Sequence, residues 1–272
     1  MFLHFLASVP YILEELCRIG VALTRLAQNS VRADRRSFSI FEVDGFDGSN
    51  GRAMAEHSGG LIRSFTSSPN CANQIAFDNH ADPALSQFYP QSFYKVNPAL
   101  LRSERYKSFS GGFDFIYEMA AFQFYTRDRH RQIAHIQHLV KADGLVFFLE
   151  KLNHSDPQEY LRREQIKDEV FKARYFSKEE IRWKKKQMLE QMQNGQVDFD
   201  EMISALSARF NHVELLWSSS NFCEFVASNS SEQMNLFLSY LGPVIQPDDF
   251  RFETRSIETG WGLGAGEGVS DV

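Results

Sequence analysis

The stretch from Ser37 to Gly51 reads Ser-Phe-Ser-Ile-Phe-Glu-Val-Asp-Gly-Phe-Asp-Gly-Ser-Asn-Gly, and its reading decides the fold. A short run that alternates β-branched and aromatic residues, ends in an acidic residue and breaks into glycines is the pattern of a buried parallel strand turning into a helix beside a ligand. Gly45, Gly48 and Gly51 permit a tight turn and a close backbone approach. The helix expected from about Arg52 to His57 points its amide N–H groups back at that turn. Glu42, at the strand's end, offers a carboxylate to a polar ligand group. A plain strand-to-helix turn has the same pattern, so the rest of the chain must arbitrate.

Working outward, Ile12, Leu16, Ile19, Leu23 and Leu26 recur at three- and four-residue spacing and mark an amphipathic helix over Tyr11 to Ala27. Leu61 to Thr66 reads as a second strand, followed by a helix with Ser68 as N-cap and Pro69 at its first position. Between Ala81 and Lys107 the only strand candidate is Phe93 to Val96. Gly112 to Glu118 is a buried strand leading into Met119, and a helix is expected from Asp128 to about Lys141, ended by Ala142-Asp143-Gly144. Leu145 to Leu149 is a continuous apolar strand closed by Glu150 and Lys151.

Strands alternating with helices imply a parallel sheet covered on both faces, with ligands at the carboxyl ends of the strands. Glu42, Glu118 and Glu150 fall at such ends and should share one edge of the sheet. Residues 156–192 are long, helical and highly charged, and interrupt the alternation as a lid. His212 to Trp217 and Asn221 to Ser228 form an antiparallel hairpin. The fold class is therefore α/β, doubly wound and Rossmann-like, mostly parallel with a C-terminal antiparallel hairpin. Its core is formed by residues 1–155 and 193–245, its helical lid by 156–192, and 246–272 read as a loose C-terminal extension.

Composition restricts the function classes. In 272 residues, 43% hydrophobic content and 25 phenylalanines describe a globular chain with an aromatic interior. A net charge of −6 provides no global positive field for phosphate backbones, so no direct nucleic-acid partner is expected. Cys17, Cys71 and Cys223 lack metal-ligand or disulfide spacing and read as buried thiols in a reducing, cytoplasmic compartment. Glu14, Glu15 and Arg18 interrupt the apolar N-terminus too soon for a membrane span. His135 and His138 share a helix face, but two histidines without a third ligand do not make a metal site, and none is expected.

A glycine turn after the first strand and a closing antiparallel hairpin resemble the class I S-adenosylmethionine-dependent methyltransferases. Phe171-Lys172-Ala173-Arg174-Tyr175-Phe176-Ser177, Lys186-Gln187-Met188-Leu189-Glu190, and Val213-Glu214-Leu215-Leu216-Trp217 with Asn221-Phe222 are similar to the carboxy-S-adenosylmethionine synthase branch. Gly144-Leu145-Val146 through Glu150-Lys151 and Val9-Pro10-Tyr11 also match it. The resemblance implies S-adenosylmethionine as cofactor, near Glu42, Gly45, Asp47, Gly48, Thr66, Glu118 and Met119, with Glu118, Glu150 and Tyr175 toward the reacting groups. It implies methyl transfer to a small-molecule acceptor, anionic or aromatic, and is compatible with a homodimer.

The sequence departs from that family's first motif, acidic-x-Gly-x-Gly-x-Gly, by placing Asp44 and Phe46 at two of the glycines. The ribose-binding acid falls on Thr66, the adenine-side acid near Asn97 or Pro98, and the branch's carboxylate-binding arginine in Lys184-Lys185-Lys186. Two further readings therefore stay open: a methyltransferase fold without cofactor that serves as a scaffold or binding domain, and a carboxy-S-adenosylmethionine synthase-like enzyme of tRNA wobble-uridine modification. Glu118 either faces the methionine part of the cofactor or ends a strand. Phe122, Phe124 and Tyr125 either line an acceptor pocket or fill the core, and the run from Arg182 to Lys186 either holds an anion or is solvated.

Overall fold

The computed structural model describes residues 2–34, 37–192 and 195–253. A short helix α1 (Phe2–Leu6) and a long one, α2 (Ile12–Asp34), precede β1 (Phe38–Val43), all six of whose residues are buried. Then follow α3 (Ser49–His57), β2 (Ile62–Ser67), α4 (Cys71–Asp78), β3 (Ser86–Tyr89), α5 (Pro98–Leu101), β4 (Phe113–Met119), α6 (Arg129–Gln137) and β5 (Val140–Lys151). The segment expected as a lid consists of α7 (Pro157–Ile166), a π turn (Lys167–Phe171) and α8 (Lys178–Met192). The chain closes with α9 (Phe199–Ser207), β6 (His212–Ser219), β7 (Phe222–Ser228) and α10 (Ser231–Tyr240).

The seven strands form one sheet in the order β3-β2-β1-β4-β5-β7-β6. β1 to β5 pair in parallel, and β7 runs antiparallel to both its neighbours. This is the doubly wound sheet with a C-terminal hairpin that the sequence implies. The central strands are apolar in both directions because both faces are covered. Phe41, Phe65, Val146 and Phe148 enter the core beneath α6 and α9, whereas Ile40, Phe115, Phe147 and Leu149 enter the core with α2 and α10. The rings of Phe41, Phe65, Phe109 and Phe113 pack with centroids 5.1–5.6 Å apart. Each such buried ring contributes about 1.5–3 kcal/mol of transfer free energy.

Several local expectations are corrected. The helix expected to reach Lys141 ends at Gln137, and Val140 to Gly144 already belong to β5, Val140 pairing with Phe113. Phe93 to Lys95 form a 3-10 turn, and the strand of this region is β3. Asn70 caps α4 by accepting the Ala72 amide at 3.0 Å, in place of Ser68. α2 continues past Ala27 to Asp34, with Ile12, Leu16, Ile19, Leu23 and Leu26 all buried. Cys17 and Cys71 are exposed, and only Cys223 is buried. The extension is docked where it begins: Phe250 is buried against Tyr11 and Phe171, and its carbonyl accepts the Ser220 amide. Residues 254–272 lie outside the described residues. No described helix is long and apolar enough to cross a membrane.

Candidate functional site

The loop after β1 keeps a glycine-type backbone without all of the glycines. Asp44, Phe46 and Gly48 hold φ of 47°, 54° and 69°. A non-glycine residue in that region costs on the order of 1–3 kcal/mol and persists only where its surroundings hold it. Here the side chains supply the hold. Asp44 accepts the Ser67 hydroxyl (2.8 Å), the Phe93 amide (3.0 Å) and the Tyr125 phenol. The Phe46 ring packs on Phe5 and Phe2 of α1, with centroids 5.2 and 5.8 Å away.

Glu42 lies beneath this loop. It is fully buried, and burial pushes its carboxyl up to about 7 against the hydrogen bond from Thr66. The glycines exist to clear it. A Cβ on Gly45 would meet the Glu42 Cβ at 2.6 Å, and one on Gly51 would meet Glu42 Oε2 at 2.6 Å. Gly48 abuts Thr66 and Phe77 in the same way. Asp47 accepts the Ser49 hydroxyl at 2.7 Å at the start of α3.

A cavity of about 730 Å³ opens at the carboxyl ends of β1, β2 and β4, where a doubly wound sheet receives its ligands. Asp44 and Phe46 form one wall, Ser68, Asn70 and Asn73 the approach to α4, and Met119, Ala120 and Gln123 the floor beyond β4. Phe5 and Ser8 close it from the N-terminal side, and Phe124 and Tyr125 add aromatic surface. Gln123 is buried, and neither its Oε1 nor the Ser8 hydroxyl has a hydrogen-bond partner among the described residues.

The opposite wall is charged. Lys151 at the end of β5, Lys167 of the π turn, Lys172 just after it, and Lys184 and Lys185 of α8 all border the cavity, with Glu164 and Asp168 between them. Glu164 is gripped by Lys151 (2.9 Å) and Lys167 (2.8 Å) and also accepts the Asn221 amide group (3.0 Å). Burial alone would raise the Glu164 carboxyl, but the two ammonium groups hold it well below the usual range. Asp168 meets Lys185 at 3.3 Å, Lys167 at 3.4 Å and Lys172 at 3.6 Å. Burial, followed by repulsion from Lys167, pulls the Lys172 ammonium down to about 8.

Of the residues singled out by sequence, Met119 lines the cavity, and Glu42, Gly45, Gly48 and Thr66 lie together as the packing beneath its loop wall. Glu118 is turned to the backbone, accepting the amides of Ala121 and Phe122, and so fixes the turn that carries Gln123. Burial and the neighbouring Glu150 raise its carboxyl well above the ordinary value, and its Oε2 has no hydrogen-bond partner among the described residues. Glu150 is fully buried and held by Arg129 through bonds of 2.7 and 3.0 Å, while its neighbour Lys151 turns to Glu164. Tyr175 is exposed and packs on Phe171 instead of bordering the cavity. Asn97 caps α5, Phe122 is core, and His135 contacts the carbonyls of Phe93 and Val96.

Lys151, Lys167, Lys172 and Gln123 escaped the sequence reading. The signal that could have found the lid pair is the i,i+5 spacing of Lys167 and Lys172 with acids between them, in a segment flanked by Pro157 and the Lys184 run. Arg129 also clamps the lid's return to the sheet, donating to the Gly195 carbonyl at 2.9 Å, and a Cβ on Gly195 would overlap the Gln123 carbonyl.

No protein-family model matches the sequence, and no curated protein matches it significantly. Solved structures do. The chain is similar to the plantazolicin methyltransferase BpumL in complex with SAH, at 10% identity over 79% of this chain and 85% of that one, with a TM-score of 0.52. It is also similar to the CurJ carbon methyltransferase (14% identity, 78% and 54% covered, TM-score 0.48) and to a cyclopropane synthase from Mycobacterium tuberculosis (13%, 75% and 63%, TM-score 0.42). The chain spans about half of the CurJ chain and somewhat under two thirds of the cyclopropane synthase. The likeness is one of fold: the seven-stranded sheet is Rossmann-like, as in that methyltransferase.

Proposed function

We propose that the chain is an S-adenosylmethionine-dependent methyltransferase acting on a small anionic acceptor. The observation that carries this reading is the cavity at the carboxyl ends of β1, β2 and β4, bounded by a left-handed loop on one side and a lysine wall on the other. The cavity lies within the size range of small-molecule sites. Asn70, Asn73 and Gln123 supply polar partners for the cofactor, with Met119 and Ala120 beneath it. When bound, S-adenosylmethionine supplies an electrophilic methyl on a sulfonium. The chain's own residues align the acceptor and exclude water, which is most of what an in-line displacement needs.

Calorimetry with S-adenosylmethionine and S-adenosylhomocysteine, with mass spectrometry of any co-purifying ligand, tests the reading. Micromolar binding, about −8 kcal/mol, is expected. Absence of both would overturn it in favour of a scaffold that has lost the cofactor. One observation favours that second reading: Asp44 is already occupied by three donors, and Thr66 faces Glu42. The carboxy-S-adenosylmethionine synthase reading draws support from Lys184 and Lys185 in the cavity wall. Incubation with a carboxylate donor would yield a carboxylated sulfonium if it holds, and none if it fails.

A further inference from the structure

Five lysines and two carboxylates face one another at the lid end of the cavity, so positive charge is in excess there. The excess is not solvated surface, because the side chains of Lys151, Lys167 and Lys172 are only 7–8% exposed. The two acids do not saturate the donors. The Lys172 ammonium donates no hydrogen bond among the described residues, its nearest carboxylate oxygen lying at 3.6 Å, and the half-buried Lys184 has no carboxylate partner among them. Lys184 also lies beside His4 across the cavity mouth, which adds a further potential donor.

Repulsion between ammonium groups in a partly desolvated wall is stronger than in water, and an incoming anion relieves it. A single negative charge would leave most of the excess in place. We propose that this wall seats a doubly negative head group, a phosphate monoester or a pair of carboxylates, of the acceptor molecule, held chiefly by Lys172 and Lys184 with Lys167 and Lys185 beside them. Lysines suit this task as point charges with rotatable donors, whereas bidentate forks are absent from this wall. As an assignment of the acceptor's class it rests on the methyltransferase reading, but the seat itself can be measured without the cofactor.

The full-length chain is titrated by calorimetry with inorganic phosphate, malonate and acetate at constant ionic strength. Saturable binding of phosphate or malonate, at least about tenfold tighter than acetate, is expected. Phosphate above malonate points to a phosphate monoester, and the reverse to a dicarboxylate. The double variant Lys172→Gln/Lys184→Gln should weaken the dianion by at least about tenfold, and Lys107→Gln, on the exposed surface, should not change it. Lys184→Gln alone breaks no ion pair, and serves if the double variant fails to fold.

Equal binding of acetate, no saturable dianion binding, or unchanged affinity in the folded variants would overturn the proposal. S-adenosylmethionine is titrated in parallel. Cofactor binding without an anion seat removes this inference and leaves the methyltransferase reading standing. A lysine-dependent seat without cofactor binding does the opposite: it retains the seat and removes that reading.

Discussion

Thr66 donates its hydroxyl to Glu42 Oε2 over 3.0 Å, so the last turn of β2 is tied to β1 beneath the loop and does not face the cavity. The carboxyl it touches is shifted from 4.5 to about 7, chiefly by burial. The native state therefore holds a proton that the unfolded chain releases between those values, and stability falls as pH rises through that window. At and above neutral pH the loss from this group is on the order of 3 kcal/mol. Glu42→Gln should abolish that dependence and be the more stable protein at pH 8. Urea denaturation of both proteins at pH 5 and pH 8 checks it, and parallel pH profiles would count against it.

Arg129 and Glu150 form an ion pair with both side chains essentially inaccessible to water. Removing one partner leaves an uncompensated buried charge beside Glu118. Arg129→Met should cost about 3–5 kcal/mol. Adding Glu150→Gln should recover part of that loss, read as a coupling in a double-mutant cycle by chemical denaturation.

Two loop substitutions separate strain from bonding. Gly48→Ala introduces a Cβ at φ 69°, 2.6 Å from the Thr66 hydroxyl, and should cost about 1–3 kcal/mol. Asp44→Gly relaxes its own backbone but strips the acceptor from Ser67, Phe93 and Tyr125. The lost bonds outweigh the relief, so this variant should also melt lower, by about 1–3 kcal/mol of stability. A raised melting temperature for Asp44→Gly would show that loop strain dominates.

Lys172, with a value near 8 in place of 10.5, faces Lys167, Asp168, Glu164 and Lys151. The unfolded chain holds this proton more tightly than the native one, so stability should rise between about pH 8 and pH 10.5. Lys172→Met should remove that rise. Dianion affinity should run the other way, falling as the ammonium titrates above pH 8, and calorimetry with malonate, a dianion throughout this range, at pH 7 and pH 9.5 measures it.

Apolar period and turn chemistry make β1, β4, the apolar end of β5 and the final hairpin legible, because β1, β4 and β7 are buried on both faces and the strands are bounded by glycine or short polar turns. β3 is not, since Ser86-Gln87-Phe88-Tyr89 is a short edge strand with only half its side chains inward. The start of β5 lacks a strand signature because Lys141, Ala142 and Asp143 are polar or small, and Ala142 and Asp143 are exposed. The caps of α9 and α10 are written in the chain as Asp198 with Glu201 and Ser230 with Gln233. At the site, sequence located the loop but not where its side chains go: Glu42, Thr66 and Glu118 satisfy the protein's own backbone and side chains. The lysine wall is assembled from β5 and the lid, and only folding makes Lys151 a neighbour of Glu164.

The π turn at Lys167 to Phe171 deserves a genetic reading. Glu164, Asp168 and Lys172 are all buried at steps of four residues, which in an α-helix would drift around the axis, and the wider turn absorbs that drift. A π turn holds one residue more than an α turn, so deleting the codon of the exposed Val170 can be absorbed by closing it to an α turn, with the residues beyond keeping their place. A one-residue deletion here should therefore be better tolerated than one inside α7, which has no spare residue to give up.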